Sequence, residues 1–309
     1  MRICIIGAGS LGSTIGGMLA LGGSDVWLVN RRQDHVDAVN ARGLTLRFAD
    51  GDRSVAVHAA TTAAGLGPMD LVVILVKSLA TGAAIIAARD VVGPDTAVIS
   101  LQNGLGQEDL IAEAFGAERT LAGKTYVGGV LLAPGLVLNG AAGKETIIGE
   151  LDGTVTDRVE RIAEVFTHAG LATRVSTNIR GTMWDKLLVN VATGALSAIT
   201  RLTYGELYAV PELKACALAA VDEAIAVATA LGVELSSTHA EDAWVLAAAG
   251  LPADFKASML QSIERGSLTE VDFINGAVVR AGEHAGIPTP VNRTLVACVK
   301  GVEASLTSL

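Results

Sequence analysis

Met1-Arg-Ile-Cys-Ile-Ile-Gly7-Ala-Gly9-Ser10-Leu11-Gly12 opens the chain, and its reading decides the fold. Arg2–Ile6 is a short apolar run with strand character, and the glycines that follow have the spacing G-x-G-x-x-G. A helical pattern continues to about Leu21, Gly22-Gly23 breaks it, and a second β-rich run, Val26–Val29, completes a β-α-β unit. In that context Gly7 permits a tight turn, Gly9 lets the backbone approach a pyrophosphate, and Gly12 lets the helix pack against the strand. Ser10 and Leu11 open the helix, whose first N–H groups and positive dipole end attract an anion. The plain alternative is a glycine-rich turn without a ligand, and the strand before it and helix after it argue against that.

Outward from this unit, buried strands are expected at Leu71–Val76 and Ala97–Leu101, each after a turn signal, Pro68 or Gly93-Pro94-Asp95. Continuous apolar strands suit a parallel sheet covered on both faces. Residues 121–150 are Gly-rich and β-like, the pattern of hairpin strands; Arg158–His168 predicts a helix and Leu171–Val175 a last short strand. From about Ile179 nearly every segment has helical period. Gly232, Gly250 and Gly286 mark helix ends, and Ser236/Ser237 and Ser267/Thr269 mark starts. The expectation is an α/β protein: a Rossmann-type parallel-sheet domain over residues 1–177 and an all-α domain over residues 178–309.

The 309 residues suit two domains, and a half-hydrophobic composition low in aromatics lets elements pack closely on small side chains. A net charge of −9 without a block of like charge lacks the basic footprint of a nucleic-acid binder. The apolar stretches at residues 71–88 and 125–143 are interrupted by Lys77 and by Gly128, Gly129, Pro134 and Gly135, so no membrane span is expected. Cys4, Cys216 and Cys298 are odd in number and far apart in sequence, which disfavours a disulfide framework. No His, Cys and carboxylate spacing suggests a metal. With no signal-peptide pattern at the start, a cytoplasmic enzyme acting on a small molecule is expected.

Two sites carry the chemistry. At the end of the second strand, where NAD-binding folds hold an acidic residue for the ribose 2′-hydroxyl, stands Asn30, followed by Arg31 and Arg32. Without a carboxylate to repel a 2′-phosphate, and with guanidinium donors beside it, this strand end favours NADPH, with Arg31 as the preferred contact. In the second half, the helical stretch Met183–Ser197 is largely apolar, and its polar residues Lys186, Asn190, Thr193 and Ser197 fall on one stripe. A buried helix cannot leave an ammonium and an amide unpaired, so the stripe should face a polar cleft or a partner. Lys186 then reads as a general acid, protonating the alkoxide that hydride addition to a ketone creates, with Asn190 orienting the carbonyl or the lysine. A structural ion pair at the domain junction is the alternative for Lys186.

With Val76-Lys77-Ser78, Gln102-Asn103-Gly104, Asn178-Ile179-Arg180, Trp184-x-Lys186-Leu-x-x-Asn190, Ser258-Met259-Leu260-Gln261 and Thr269-Glu270-x-Asp272-x-Ile-Asn275-Gly276, the chain resembles the ketopantoate reductase (2-dehydropantoate 2-reductase) family over nearly its whole length. The resemblance implies a Rossmann domain joined to a helical one, with NADPH and a 2-oxo acid meeting in the cleft, and reduction of ketopantoate to pantoate in pantothenate biosynthesis. It also implies Lys186 as general acid, Glu270 as partner of substrate and lysine, Ser258 as a carboxylate ligand, and Lys77 and Asn103 near the cofactor and reaction centre.

Bland readings stand beside these. Ser267-x-x-Glu270 is also a capping box, Asn103-Gly104 a turn pair, Lys77 a snorkelling strand end and Ser258 a helix-start hydroxyl. Gly194, Tyr204 and Phe255 stand where relatives often carry asparagine, which removes donors for a polar substrate tail and makes a less polar 2-oxo acid the second expectation. A 3-hydroxy acid dehydrogenase and an NADP-binding redox sensor without turnover are the remaining rivals. The apolar helical domain makes a homodimer the expected assembly.

Overall fold

A computed structural model describes residues 1–306. The chain forms two compact units, residues 1–102 with 107–179, and residues 103–106 with the chain from Arg180 onward.

The first unit runs β1 (Arg2–Ile6), α1 (Ser10–Leu21), β2 (Asp25–Val29), α2 (Gln33–Arg42), β3 (Leu44–Phe48), β4 (Gly51–Val55), β5 (His58–Ala60), β6 (Leu71–Ile74), α3 (Thr81–Ala88), β7 (Ala97–Ser100), α4 (Gln107–Phe115), β8 (Thr120–Thr125), β9 (Gly128–Ala133), β10 (Leu136–Gly140), β11 (Thr146–Glu150), α5 (Asp157–His168) and β12 (Thr173–Val175). Its main sheet has eight strands in the order β12-β11-β8-β7-β6-β1-β2-β5. Pairing is parallel throughout except between β8 and β11. Strands β6 and β7 are buried along their whole length, as strands covered on both faces must be. The register Ile6↔Val29 and Ile6↔Ile74 brings the carboxyl ends of β1, β2 and β6 to one edge, where Gly7 begins the turn.

A second sheet, ordered β4-β3-β10-β9, covers the far side of α1. The hairpin strands expected within residues 121–150 are there, but β3, β4 and β5 carried too little apolar signal to be read. Leu-Thr-Leu-Arg-Phe and Gly-Asp-Arg-Ser-Val alternate or are polar outright, and β4 is exposed over four of its five residues. Sandwiched between sheets, α1 needs small residues on opposite faces. A Cβ on Gly16 would come within 2.5 Å of Leu28, and one on Gly17 within 2.8 Å of Leu44.

One buried imidazole ties this arrangement together. His35 on α2 is 0% exposed; its Nδ1 accepts from the Gly135 N–H (3.2 Å) and its Nε2 lies 3.3 Å from the Ser13 hydroxyl of α1. Because Nδ1 accepts, the ring is neutral with its proton on Nε2. Burial, helped by the charge of Arg32 and opposed by Asp34, holds its pKa below the usual histidine value. The stability contributed by the neutral ring is therefore present above the unfolded-state pKa and lost as pH falls through the folded one. Chemical denaturation at pH 7.5 and pH 5.5 should show a larger loss on acidification for the wild type than for His35→Gln; equal losses would remove His35 from the account.

The second unit is helical: α6 (Ile179–Thr200), α7 (Tyr204–Tyr208), α8 (Pro211–Ala230), α9 (Ala240–Ala248), α10 (Ser258–Glu264), α11 (Asn275–Ala285) and α12 (Pro290–Leu306), with a 3-10 turn at Val271–Phe273. Ala217, Ala220, Val221, Ala224 and Ala228 form the buried stripe of α8, and Val278 of α11 with Leu295 and Val299 of α12 are buried with them. Glu223 caps α12 by accepting from the Val291 and Asn292 N–H groups (2.8 and 2.9 Å). The serine signals fall early: α9 starts at Ala240, where Ser237 instead bonds Asp242, and Thr269 leads into the 3-10 turn. Among the described residues no helix is long and apolar enough to cross a membrane.

Candidate active site

In the first unit, Gly7 has φ +101°, and a Cβ there would lie 2.6 Å from the Val76 nitrogen. The Gly7 and Ala8 N–H groups both donate to Val29 O (3.0 and 2.9 Å), fastening the turn to the end of β2. Asn30 completes that fastening, donating from Nδ2 to Ala8 O (2.6 Å) and accepting the Arg32 N–H at Oδ1 (3.0 Å). It is a staple for the loop. Gly12 fits because a Cβ would sit 2.4 Å from Gly7 O, whereas a Cβ on Gly9 would meet nothing within 4 Å. Gly9 is also the N-cap of α1 and has no side-chain cap, while Ser10 Oγ is turned to accept the Leu131 N–H (3.1 Å), with Leu11 beside it in the first turn. An open cradle in front of uncapped helix N–H groups fits a dinucleotide pyrophosphate.

The two arginines divide. Arg32 donates through Nε to Asp34 (3.1 Å) and pairs with it through Nη2 (2.5 Å), whereas Arg31 is exposed and has no such partner among the described residues. Lys77 is exposed at the start of the 3-10 turn Ser78–Ala80 that follows β6. Behind that turn, Gln102 Nε2 donates to Val76 O (2.8 Å) and Thr81 Oγ1 (3.0 Å), and its Oε1 accepts from Ser100 Oγ (3.0 Å). Gln102 stood in a motif without a role; a buried amide between two loops leaves no periodicity in the sequence.

In the second unit, Lys186 Nζ donates to Asn103 Oδ1 at 3.0 Å, and Asn103 Nδ2 faces Glu270 Oε2 at 3.5 Å. The amide can adopt only this orientation: an ammonium offers donors alone and a carboxylate acceptors alone, so oxygen must face lysine and nitrogen glutamate. The loop carrying Asn103 is fixed by Leu105 N–H, which donates to Phe273 O (3.0 Å), and by Gly104 at φ +90°, where a Cβ would come within 2.2 Å of that carbonyl. The capping box does not form, since Ser267 Oγ bonds back to Ser262 O (3.0 Å) and Glu270 caps the following turn with its backbone alone.

The polar stripe of α6 splits in two. Thr193 Oγ1 shares a hydrogen bond with the Tyr204 hydroxyl (3.0 Å), and Ser197 Oγ donates to Leu202 O (2.8 Å), so these two are satisfied within the helical unit. Of the two outcomes expected for the stripe, a polar cleft or a partner, Thr193 and Ser197 meet the second, and the other half holds Lys186 and Asn190. There Asn190, one turn beyond Lys186, is half-buried and has no protein hydrogen-bond partner among the described residues. Ser258 is exposed as the first residue of α10.

The amide-poor positions are filled rather than empty. A Cβ on Gly194 would lie 3.3 Å from Met259 Cε, and Tyr204 meets Phe255 edge-on with centroids 5.2 Å apart. Tyr208 stacks on Trp244 at 3.9 Å. Burial raises the Tyr204 pKa against the opposing Thr193 bond, so its phenol stays protonated. Tyr208 and Trp244 were not singled out in the sequence, and Met259 stood there only as part of the Ser258–Gln261 motif.

A glycine-loop sheet unit and a helical unit bearing a lysine–asparagine–glutamate chain define an oxidoreductase that binds a nicotinamide cofactor. Residues 3–153 match the family described as Ketopantoate reductase PanE/ApbA, and residues 178–303 match Ketopantoate reductase PanE/ApbA C terminal. A 2-dehydropantoate 2-reductase of Pyrococcus horikoshii is 36% identical over 304 residues, 98% of each chain. A solved PanE/ApbA family ketopantoate reductase from Ralstonia eutropha superposes with TM-score 0.90 at 35% identity, covering 99% of this chain and 100% of that one. A D-mandelate dehydrogenase solved with NADH and anilino(oxo)acetate also superposes with TM-score 0.90, at 26% identity over 99% of this chain and 100% of its own. The chain belongs to the ketopantoate reductase family.

Proposed function

We propose that this chain reduces a 2-oxo acid to a 2-hydroxy acid with NADPH, and that the reaction is ketopantoate (2-dehydropantoate) to pantoate in pantothenate biosynthesis. The observation that carries the reading is the Lys186–Asn103–Glu270 chain. Gly7, Gly9, Ser10, Leu11 and Gly12 hold the pyrophosphate, Arg31 the 2′-phosphate, and Lys77 and Asn103 the nicotinamide end. Bound NADPH supplies a hydride to the carbonyl carbon. Lys186 gives its proton to the carbonyl oxygen as negative charge develops there, and the Asn103 oxygen aims the ammonium. Asn190 and Ser258 hold the substrate through its oxygens, and Glu270 anchors its far end while fixing the Asn103 amide. The same reading takes the enzyme as cytoplasmic, in keeping with its free thiols Cys4, Cys216 and Cys298. It also takes the enzyme as a homodimer, for which Val245 and Leu246, each 60% exposed on α9, offer apolar surface.

Initial rates with ketopantoate should be higher with NADPH than with NADH, and Arg31→Ala should cut that preference about 10- to 100-fold, the worth of a charge-assisted hydrogen bond. A wild type preferring NADH would sink the cofactor assignment, and absence of turnover with every 2-oxo acid would leave a redox sensor. A second reading has its own support: Met259 against Gly194 and the Tyr204–Phe255 contact make the surroundings less polar, and the D-mandelate dehydrogenase likeness points the same way. If it holds, 2-oxo acids with apolar or aromatic side chains will match or exceed ketopantoate in kcat/KM.

A further inference from the structure

Glu303 of α12 is 3% exposed. A buried carboxylate is strongly disfavoured unless donors surround it. Here one oxygen accepts both the Thr269 N–H (2.7 Å) and the Thr269 hydroxyl (2.6 Å), and the other faces Lys300 Nζ at 3.2 Å. Two bonds to a single residue fix the direction in which the chain leaves Thr269, and the next residue is Glu270. Thr269 Oγ1 then accepts the Val271 N–H (3.2 Å), spanning Glu270 with a side-chain turn. On the far side, Asp272 is paired with the same Lys300. The residues flanking Glu270 are thus tied to Lys300 and Glu303, which are neighbours three apart on one helix.

This clamp also reaches Asn103. The Glu270 carbonyl accepts the Phe273 and Ile274 N–H groups (3.0 and 3.1 Å), closing a turn whose Phe273 oxygen holds Leu105 N–H. The Asn103 loop therefore rests on the backbone that follows Glu270, and the Thr269 clamp decides where the Glu270 carboxylate stands against that amide. At 3.5 Å that contact is at the limit of a hydrogen bond, so a small displacement of the turn breaks it.

We propose that Glu303 is a positioning residue for the reduction, acting on Lys186 and the substrate only through Glu270. This rests on the reading of Lys186 and Glu270 as the reacting pair. It assigns Glu303, with Lys300 as its counter-ion, a kinetic role that α12 otherwise lacks.

The test is a double-mutant cycle on the full-length protein with NADPH and ketopantoate, or with the best substrate of the 2-oxo acid panel. Glu303→Gln keeps the volume but replaces the anionic acceptor, and should lower kcat by about 10- to 100-fold, the cost of misplacing reacting groups by about 1 Å. The dissociation constant for NADPH, read by fluorescence, should not change. Since Glu303 acts through Glu270, the double variant Glu303→Gln/Glu270→Gln should be no slower than Glu270→Gln alone, whereas independent effects would multiply. Thr269→Val, which removes the hydroxyl that donates to Glu303, should reproduce part of the loss and replaces Glu303→Gln in the cycle if that variant does not fold. Multiplied losses, or a Glu303→Gln rate near wild type while Glu270→Gln is impaired, overturn this proposal and leave the catalytic reading intact. A Glu270→Gln rate near wild type overturns both.

Discussion

Lys186→Ala is expected to lower kcat by about 10²–10⁴-fold, the range for losing a general acid, with NADPH affinity retained. The retention follows from where the residues belong: Lys186 lies on α6 in the helical unit, whereas the glycine loop and Arg31 belong to the sheet unit. Lys186→Arg separates charge from acidity. Guanidinium keeps a cation for Asn103 Oδ1 but stays protonated at all accessible pH, so it too should lose the rate. A variant with alanine that kept near wild-type kcat across pH would make Lys186 a structural cation. Thermal melts with and without NADPH must accompany the kinetics, because an unfolded variant also shows no rate.

The ease of reading each part of this molecule from its sequence tracked how local its physical cause is. The β-α-β unit at the start was legible because strand, glycine spacing and helix are contiguous, and the lysine stripe because a polar residue in an apolar helix is conspicuous. The second sheet was half-legible: β9 and β10 announce themselves by glycine and valine, whereas β3 and β4 are short, partly polar, and gain their meaning only by covering α1. Asn30 was read as a missing acid; its actual work, bonding Ala8 O and the Arg32 N–H, depends on a loop fold that composition does not encode. The same holds for Thr193 and Ser197, whose partners Tyr204 and Leu202 lie just beyond the end of α6. Glu303 lies furthest from view. Its partner Thr269 is 34 residues away, and a lone glutamate near a helix end reads as solvated surface.

The glycine loop yields an expectation that separates folding from binding. At Gly9 the backbone is extended, with φ −76° and ψ −151°, which any L-residue can adopt, and a Cβ there meets nothing within 4 Å. Gly9→Ala should therefore leave the melting temperature of the ligand-free protein unchanged or slightly higher, since alanine narrows the unfolded ensemble. The methyl group nevertheless occupies the cradle in front of the α1 N-terminus, where the proposed function has the pyrophosphate approach the backbone. NADPH at 100 times the wild-type dissociation constant stabilises the wild type by about 2.7 kcal/mol, and a 100-fold weaker variant by only about 0.4 kcal/mol. Gly12→Ala should behave in the opposite way: its Cβ would sit 2.4 Å from Gly7 O, a backbone atom that cannot swing aside, so the ligand-free protein itself should lose about 1–3 kcal/mol. Melts of both variants with and without NADPH read the two effects directly. If Gly9→Ala is stabilised by NADPH as strongly as the wild type, the pyrophosphate does not lie in this loop and the cofactor site must be sought elsewhere on the sheet unit.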